Sequence, residues 1–339
     1  MLPVFRLVTF TEPEQYIEAC TPFDDSFMNF PLGTLLDSID PRNATLFVDD
    51  EADPSMRIML AVYNADQLVV SLVKVSAEFA WSLGTPRGIE ESLDASEVSS
   101  IVALLVQGIV NTTGPTSFDK VIGPRGLVNA LVDGWVAFSK ENGQTVKPLD
   151  PFMISKVAYA TQHSLPAPSP AFAQLKIEQA VMNDADALVP FMLDFLAHGP
   201  HVPDEERTRS VLRVKIPMRH IWVCRIDNEV AAFGAVGRIT PRTIAIRNIY
   251  VSPSHRRKGI AEALVRALTR YYLGAKPLGF KGGPLNGPVE GVKEEVNLNV
   301  GEEAVERIYK RCGFLLDQEE HNEGKKGWFH SVFRGVEYL

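Results

Sequence analysis

The chain has 339 residues, of which 45% are hydrophobic and 22% charged, with a formal net charge of -8. That length supports a substantial core and two domains, and the acidic balance argues against a general nucleic-acid binder. No run of roughly 18 consecutive apolar residues marks a membrane span, and the N-terminus lacks an apolar stretch ending in a cleavage site. A soluble cytoplasmic protein is expected, without a membrane partner, either monomeric or homodimeric.

In chain order, residues 57–75 read as a hairpin, with β-branched strands either side of a turn at 64–67. Residues 95–110 carry an apolar stripe of Ile101, Leu104, Leu105 and Ile109, with Asp94 or Ser96 as a cap. A second helix is expected over 126–140 and a strand over 152–160. The segment 162–171, QHSLPAPSPA, has three alternating prolines and predicts an extended linker. It divides the chain into 1–161 and 172–339.

Beyond it, 173–180 reads as a strand and 184–197 as a helix capped by Asp184, with Pro190 in its first turns. A charged helix follows over 203–215. Strands are expected at 220–225, 230–238 and 243–251, then a long helix at 256–271 whose Ile260, Leu264, Ala267 and Leu268 share a face. Residues 294–300 form a strand, 302–311 a helix ended by Gly313, and 328–333 a closing strand. This mixture predicts an α/β (α+β) architecture. Residues 274–293 hold five glycines between 274 and 287 and another at 291. They read either as a lid or as a passive insertion.

Cys20, Cys224 and Cys312 show neither CxxC pairing nor metal-site spacing and are expected as unpaired thiols. Gly199 and Pro200 separate His198 from His201, so no metal site is expected there. Cys312 has no visible His/Asp partners for a covalent acyl-enzyme route.

The segment 248–268, NIYVSPSHRRKGIAEALVRAL, ends a strand, turns at Pro253 and opens a helix. The first amides of a helix lack intrahelical acceptors, and its dipole favours negative charge. Arg256, Arg257 and Lys258 add positive charge, while Gly259 and Ala261 keep the backbone open to an anion such as a pyrophosphate.

The spacing Arg256-x-x-Gly259-x-Ala261 after VSP resembles the acyl-CoA-binding motif of the GNAT acetyltransferase superfamily. The block 296–314 resembles its distal strand–helix ending, here Tyr309-Lys-Arg-Cys-Gly313-Phe314. The resemblance covers about 172–339. It implies a mixed, twisted sheet flanked by helices, with the fourth strand (243–251) and the fifth (294–300) splayed for coenzyme A. It further implies that backbone around Ile249, Tyr250 and Val251 meets pantetheine, that Arg256 opens the loop, and that Arg257, Lys258, Gly259, Ile260 and Ala261 cradle the pyrophosphate. Direct acetyl transfer from acetyl-CoA to an amine is implied, with Tyr309 as the general acid. Its free pKa near 10 keeps it protonated at neutral pH.

Glu295, Asn297 and Asn299 make one polar face of a central strand, and Glu295 is the candidate base. Glu302 stands where the family commonly has asparagine, as a helix cap or an influence on substrate-side charge. Trp222, Phe233 and Tyr250 read first as strand packing.

The first half resembles a degenerate second copy, in which Pro124-Arg125-Gly126 is a weak loop match. It is expected to buttress the active domain or border the acceptor cleft; an unrelated α/β domain is the alternative. The acceptor is expected to be a small-molecule amine, with a peptide or protein acceptor and a noncatalytic acyl-CoA-binding module as alternatives.

Overall fold

The computed structural model describes residues 4–47, 57–199, 202–317 and 326–339. The first half runs β1 (Phe5–Phe10), α1 (Pro13–Cys20), α2 (Asn29–Ile39), β2 (Ile58–Asn64), β3 (Gln67–Lys74), β4 (Trp81–Gly84), α3 (Ala95–Thr113), β5 (Lys120–Pro124), α4 (Arg125–Glu141), β6 (Val146–Pro148) and β7 (Met153–Ala160). The second runs β8 (Lys176–Gln179), α5 (Ala185–Ala197), α6 (Glu205–Lys215), β9 (Ile221–Ile226), β10 (Glu229–Gly237), β11 (Thr243–Val251), α7 (Ile260–Tyr272), β12 (Glu295–Val300), α8 (Glu303–Arg311) and β13 (Trp328–Tyr338).

The two halves repeat one order of elements and one pairing scheme. β1 to β4 pair antiparallel in sequence and β4 pairs parallel with β5. β8 to β11 do the same, and β11 pairs parallel with β12. The last strands then change places. β13 pairs with β5 of the first half, β7 pairs with β12 of the second, and β13 and β7 pair with each other. One continuous sheet results, so the strand order crosses the linker at 162–171.

Separate apolar clusters support each half. α7 lays Ile260, Ala263, Leu264, Ala267, Leu268 and Tyr271 on β10 to β12. At roughly 1.5–3 kcal/mol for each large side chain fully buried, this face anchors the helix firmly. α3 and α4 cover the first-half sheet through Ile101, Leu105, Leu131 and Trp135. By length and composition α3 is apolar enough to cross a membrane, but here its apolar face packs on the sheet.

Four local expectations change. The helix expected from Arg256 starts at Ile260, because Arg257 and Gly259 have positive φ and break the helical path. Asp184 does not cap α5 through its side chain; it accepts from the Val181 amide and pairs with Arg225. The proline segment is a strap rather than a free linker. Arg270 donates to the Pro166 carbonyl at 2.9 Å and Arg266 to that of Ala167 at 3.4 Å, holding it on α7. Residues 274–293 join the C-terminal end of α7 to the N-terminal end of β12, the opposite end from the basic loop. There Tyr271 donates to the Gly287 carbonyl, Lys293 to the carbonyls of Thr240 and Glu290, and Ile177 to that of Lys281. This segment is a packed brace and does not cover the loop.

Candidate active site

β11 and β12 stay paired from Thr243/Glu295 to Ile246/Leu298 and then part. Past that point the edge of 247–251 facing β12 has no strand partner among the described residues. β11 also bulges against β10 between Ala235 and Val236, which shifts its side-chain alternation by one. Ile244 and Ile246 face α7 before the bulge, and Ile249 and Val251 face it afterwards. Tyr250 faces α5 and packs on Phe233, and its hydroxyl donates to Asp194 at 2.6 Å. Its side chain is thus core, as expected, and only its backbone borders the gap.

The loop after β11 makes one turn over Pro253–His255 and enters α7 through Gly259 at φ +77°, with no side-chain cap. The backbone N–H groups of residues 257–262 find no acceptor among the described residues; the first helical bond at this end runs from the Ala263 amide to the Gly259 carbonyl. Arg257, Lys258 and Gly259 are exposed, Ala261 is half-buried and Ile260 is buried in the core. Arg256 follows the Pro253–His255 turn, at the start of the basic run. It folds back, with Nε donating to the Val251 carbonyl at 3.1 Å and the guanidinium 5.7 Å from the Tyr250 ring centre. The first-turn carboxylate Glu262 is neutralised by Arg266 at 2.9 Å and Arg311 at 2.7 Å, so it does not oppose an anion here. This is a cluster of free amides and positive charge, suited to a pyrophosphate.

Tyr309 on α8 packs against Phe314 and is half-buried. Burial pushes its hydroxyl up to about 12, with Cys312 and Glu302 adding to the shift. It therefore holds its proton at neutral pH, and the hydroxyl has no hydrogen-bond partner among the described residues. Cys312 is buried, with its thiol pushed to about 12 by desolvation, which makes it a poor nucleophile. Glu302 begins α8 without a side-chain cap bond.

Glu295 has another task than the one expected of it. Its Oε2 accepts from the Ser26 amide at 2.9 Å and its Oε1 from Arg87 Nη2 at 2.5 Å. Both oxygens are engaged, and the carboxylate ties the two halves together instead of standing free for an amine proton. Of the polar face of β12, Glu295 is taken up by Ser26 in the segment leading into α2 and by Arg87.

That segment contains the functional surroundings the sequence did not disclose. Asn29 donates to the Arg238 carbonyl and to Thr243, Asp24 accepts from Thr240 and from the Arg242 amide, and Asp37 accepts from the Arg238 amide. Gly33 sits so close to Arg238 that a Cβ there would lie 2.6 Å from the Arg238 Cβ. The first half thus forms the wall of the cleft on the side of β11 away from α7. Arg247, the charged residue inside TIAIRNIYV, was the one signal for this wall.

No group of three or more His, Cys, Asp or Glu placed to hold a metal occurs among the described residues. His201 lies outside them, and the ring of His198 bonds the Asp194 carbonyl. Pro124-Arg125-Gly126 lies between β5 and α4, the position of the β12–α8 junction, so it is not the counterpart of the basic loop.

Residues 217–315 match the family model described as an acetyltransferase (GNAT) domain. No curated protein sequence matches significantly. Among solved structures, a Drosophila protein aligns over 98% of this chain and 98% of its own, with 12% identity and a TM-score of 0.53, a likeness of fold. A GNAT-family acetyltransferase from Colwellia psychrerythraea covers 98% and 99%, with 13% identity and a TM-score of 0.46. A tandem GNAT protein from the clavulanic acid biosynthesis pathway covers 99% and 98%, with 12% identity and a TM-score of 0.47.

Proposed function

We propose that the chain is a GNAT acetyltransferase through its C-terminal half, where residues 217–315 match the GNAT domain model, and that it transfers an acetyl group from acetyl-CoA directly to a small-molecule amine. The observation that carries this reading is the run of unsatisfied amides at 257–262 beside Arg257 and Lys258, set where β11 leaves β12. The cofactor's pyrophosphate fits the amides and its pantetheine arm the unpaired edge of 247–251. The bound thioester supplies the acyl group. The amine nitrogen forms the new C–N bond as the C–S bond breaks, its surplus proton leaves to water, and Tyr309 gives its proton to the departing thiolate and regains one from water.

The test is to incubate the protein with acetyl-CoA and a panel of amines and peptides, following free thiol and acetylated product. Thiol release with small amines supports the proposal. Release only with peptides favours a peptide acceptor, and tight acetyl-CoA binding without release favours a noncatalytic module. Tyr309→Phe is expected to lower kcat by about 100-fold with acetyl-CoA affinity unchanged. Since the hydroxyl titrates near 12, the wild-type kcat should show no alkaline fall from this group below about pH 10. An unaltered kcat in the variant would remove Tyr309 from the acid's role.

A further inference from the structure

The last paired residues before β11 and β12 part are Ile246 and Leu298, so Arg247 and Asn299 are the next along each strand and flank the opening. Arg247 stands at the bulge, on the face away from α7. Its Cγ lies 3.5 Å, and Asp37 Oδ2 3.4 Å, from where a Cβ on Gly237 would be. Arg238 approaches the same opening from the end of β10. Its guanidinium lies 4.4 Å from the Phe30 ring centre, and Nη2 reaches Asn299 Oδ1 at only 3.4 Å.

These cations are poorly compensated. Arg238 is 6% exposed, and its Nε is buried without a hydrogen-bond partner. Neither amide atom of Asn297, on the same face of β12 and 1% exposed, has a partner either. Neither guanidinium forms an ion pair among the described residues. Arg247 reaches water, yet the protein around it holds it below the ordinary arginine range, and Asp37 only partly restores it. Burial, and next the charge of Arg247, hold Arg238 well below that range. Asp37 acts on both, and its Oδ2 accepts from the Arg238 backbone amide at 2.9 Å. One carboxylate against two guanidiniums leaves positive charge in excess, which is costly at the buried Arg238. Arginine in such a setting is suited to holding a carboxylate or phosphate through paired N–H groups.

We propose that the acceptor amine carries an oxyanion group, a carboxylate or a phosphate, held by Arg247 and Arg238 in the cleft between the two halves. This rests on the acetyltransferase reading and narrows it to one substrate class. It also gives the first half a part in substrate choice, since Asp37, Phe30 and Gly33 fix the position of Arg238.

The experiment uses the full chain with acetyl-CoA and matched acceptors: glycine against glycinamide, β-alanine against β-alaninamide, and phosphoethanolamine against ethanolamine. In at least one pair the charged member should have a kcat/KM about 10- to 100-fold higher, and the favoured pair separates a carboxylate site from a phosphate site. Arg247→Gln, a change at a water-accessible side chain, should abolish that preference by raising KM for the charged members to the level of their uncharged partners. Preference for uncharged acceptors, or a preference that survives Arg247→Gln, overturns the proposal.

A second measurement does not need turnover. The arginine Nε–Hε NMR signals of the CoA-bound protein are followed as glycine and, separately, inorganic phosphate are added. A saturable shift lost in Arg247→Gln supports the anion site, and no shift for either anion up to about 50 mM overturns it. Saturable anion binding with no thiol release from any amine would instead sink the acetyltransferase reading and leave the anion site standing.

Discussion

The two halves share one order of elements, so α3 and α7 occupy equivalent places, each following the fourth strand of its half. Their beginnings differ in every respect that matters to an anion. α7 opens through Gly259 with free amides and two exposed cations. α3 opens through Asp94, which accepts from the Ser96 and Glu97 amides while Glu97 returns a bond to the Asp94 amide. Glu90 and Glu91 stand just before it. A capping box takes up the donors that a pyrophosphate would use, and the carboxylates repel it. The arginine of that loop, Arg87, turns inward to Glu295 and lies over the Tyr159 ring at 4.0 Å. The entrance of α7 is open, with free amides beside exposed cations, whereas that of α3 is closed by its own side chains.

This contrast can be broken at either end. The largest effect is expected from Gly259→Glu, which places a carboxylate at the cradle, forces a side chain into φ +77° and sets its Cβ 3.4 Å from the Phe172 ring. Acetyl-CoA affinity by calorimetry should fall about 1,000-fold, roughly 4 kcal/mol. Unchanged affinity would show that the cofactor binds elsewhere. Arg87→Ala comes next: it leaves Glu295 buried without its cation, so chemical denaturation should report a loss of about 3 kcal/mol, with acetyl-CoA affinity in the folded protein nearly unaltered.

A pH test addresses the closed entrance. Burial, and next Glu91, push the Glu90 carboxyl up to about 7 from its ordinary 4.5. An acid raised on folding binds more protons in the native state, so its contribution to stability is complete below about pH 4.5 and is lost as pH rises through 7. Glu90→Gln should therefore flatten the decline in melting temperature between pH 5 and pH 8; an identical pH profile would refute the shift. The smallest effect is expected from Asp94→Ala, which removes the α3 cap at about 1 kcal/mol and should leave acetyl-CoA affinity untouched.

Much of the second half was legible because its signals are local. Amphipathic spacing marks α7, and the VSP turn followed by RRKG marks the basic loop before it. Local signals misplaced the entrance of α7, where two positive φ angles delay the helix to Ile260, and the cap of α5, since Asp184 turns to Val181 and Arg225 instead. The 57–75 hairpin and the capped α3 were equally readable, since turn and cap chemistry act within a few residues.

The sequence alone disclosed the VSP–RRKG loop and the Tyr309–Gly313–Phe314 ending, with their resemblance to GNAT motifs, because each depends on contiguous residues that carry their own chemistry. Only the tertiary structure decided that β7 and β13 exchange places, that Glu295 ties the halves together, and that Arg238 and Arg247 meet beside Asp37. Those arrangements join residues about 200 positions apart in Arg238–Asp37 and Arg87–Glu295. Their pairing is set by sheet closure and burial of charge, neither of which leaves a periodic mark on the chain.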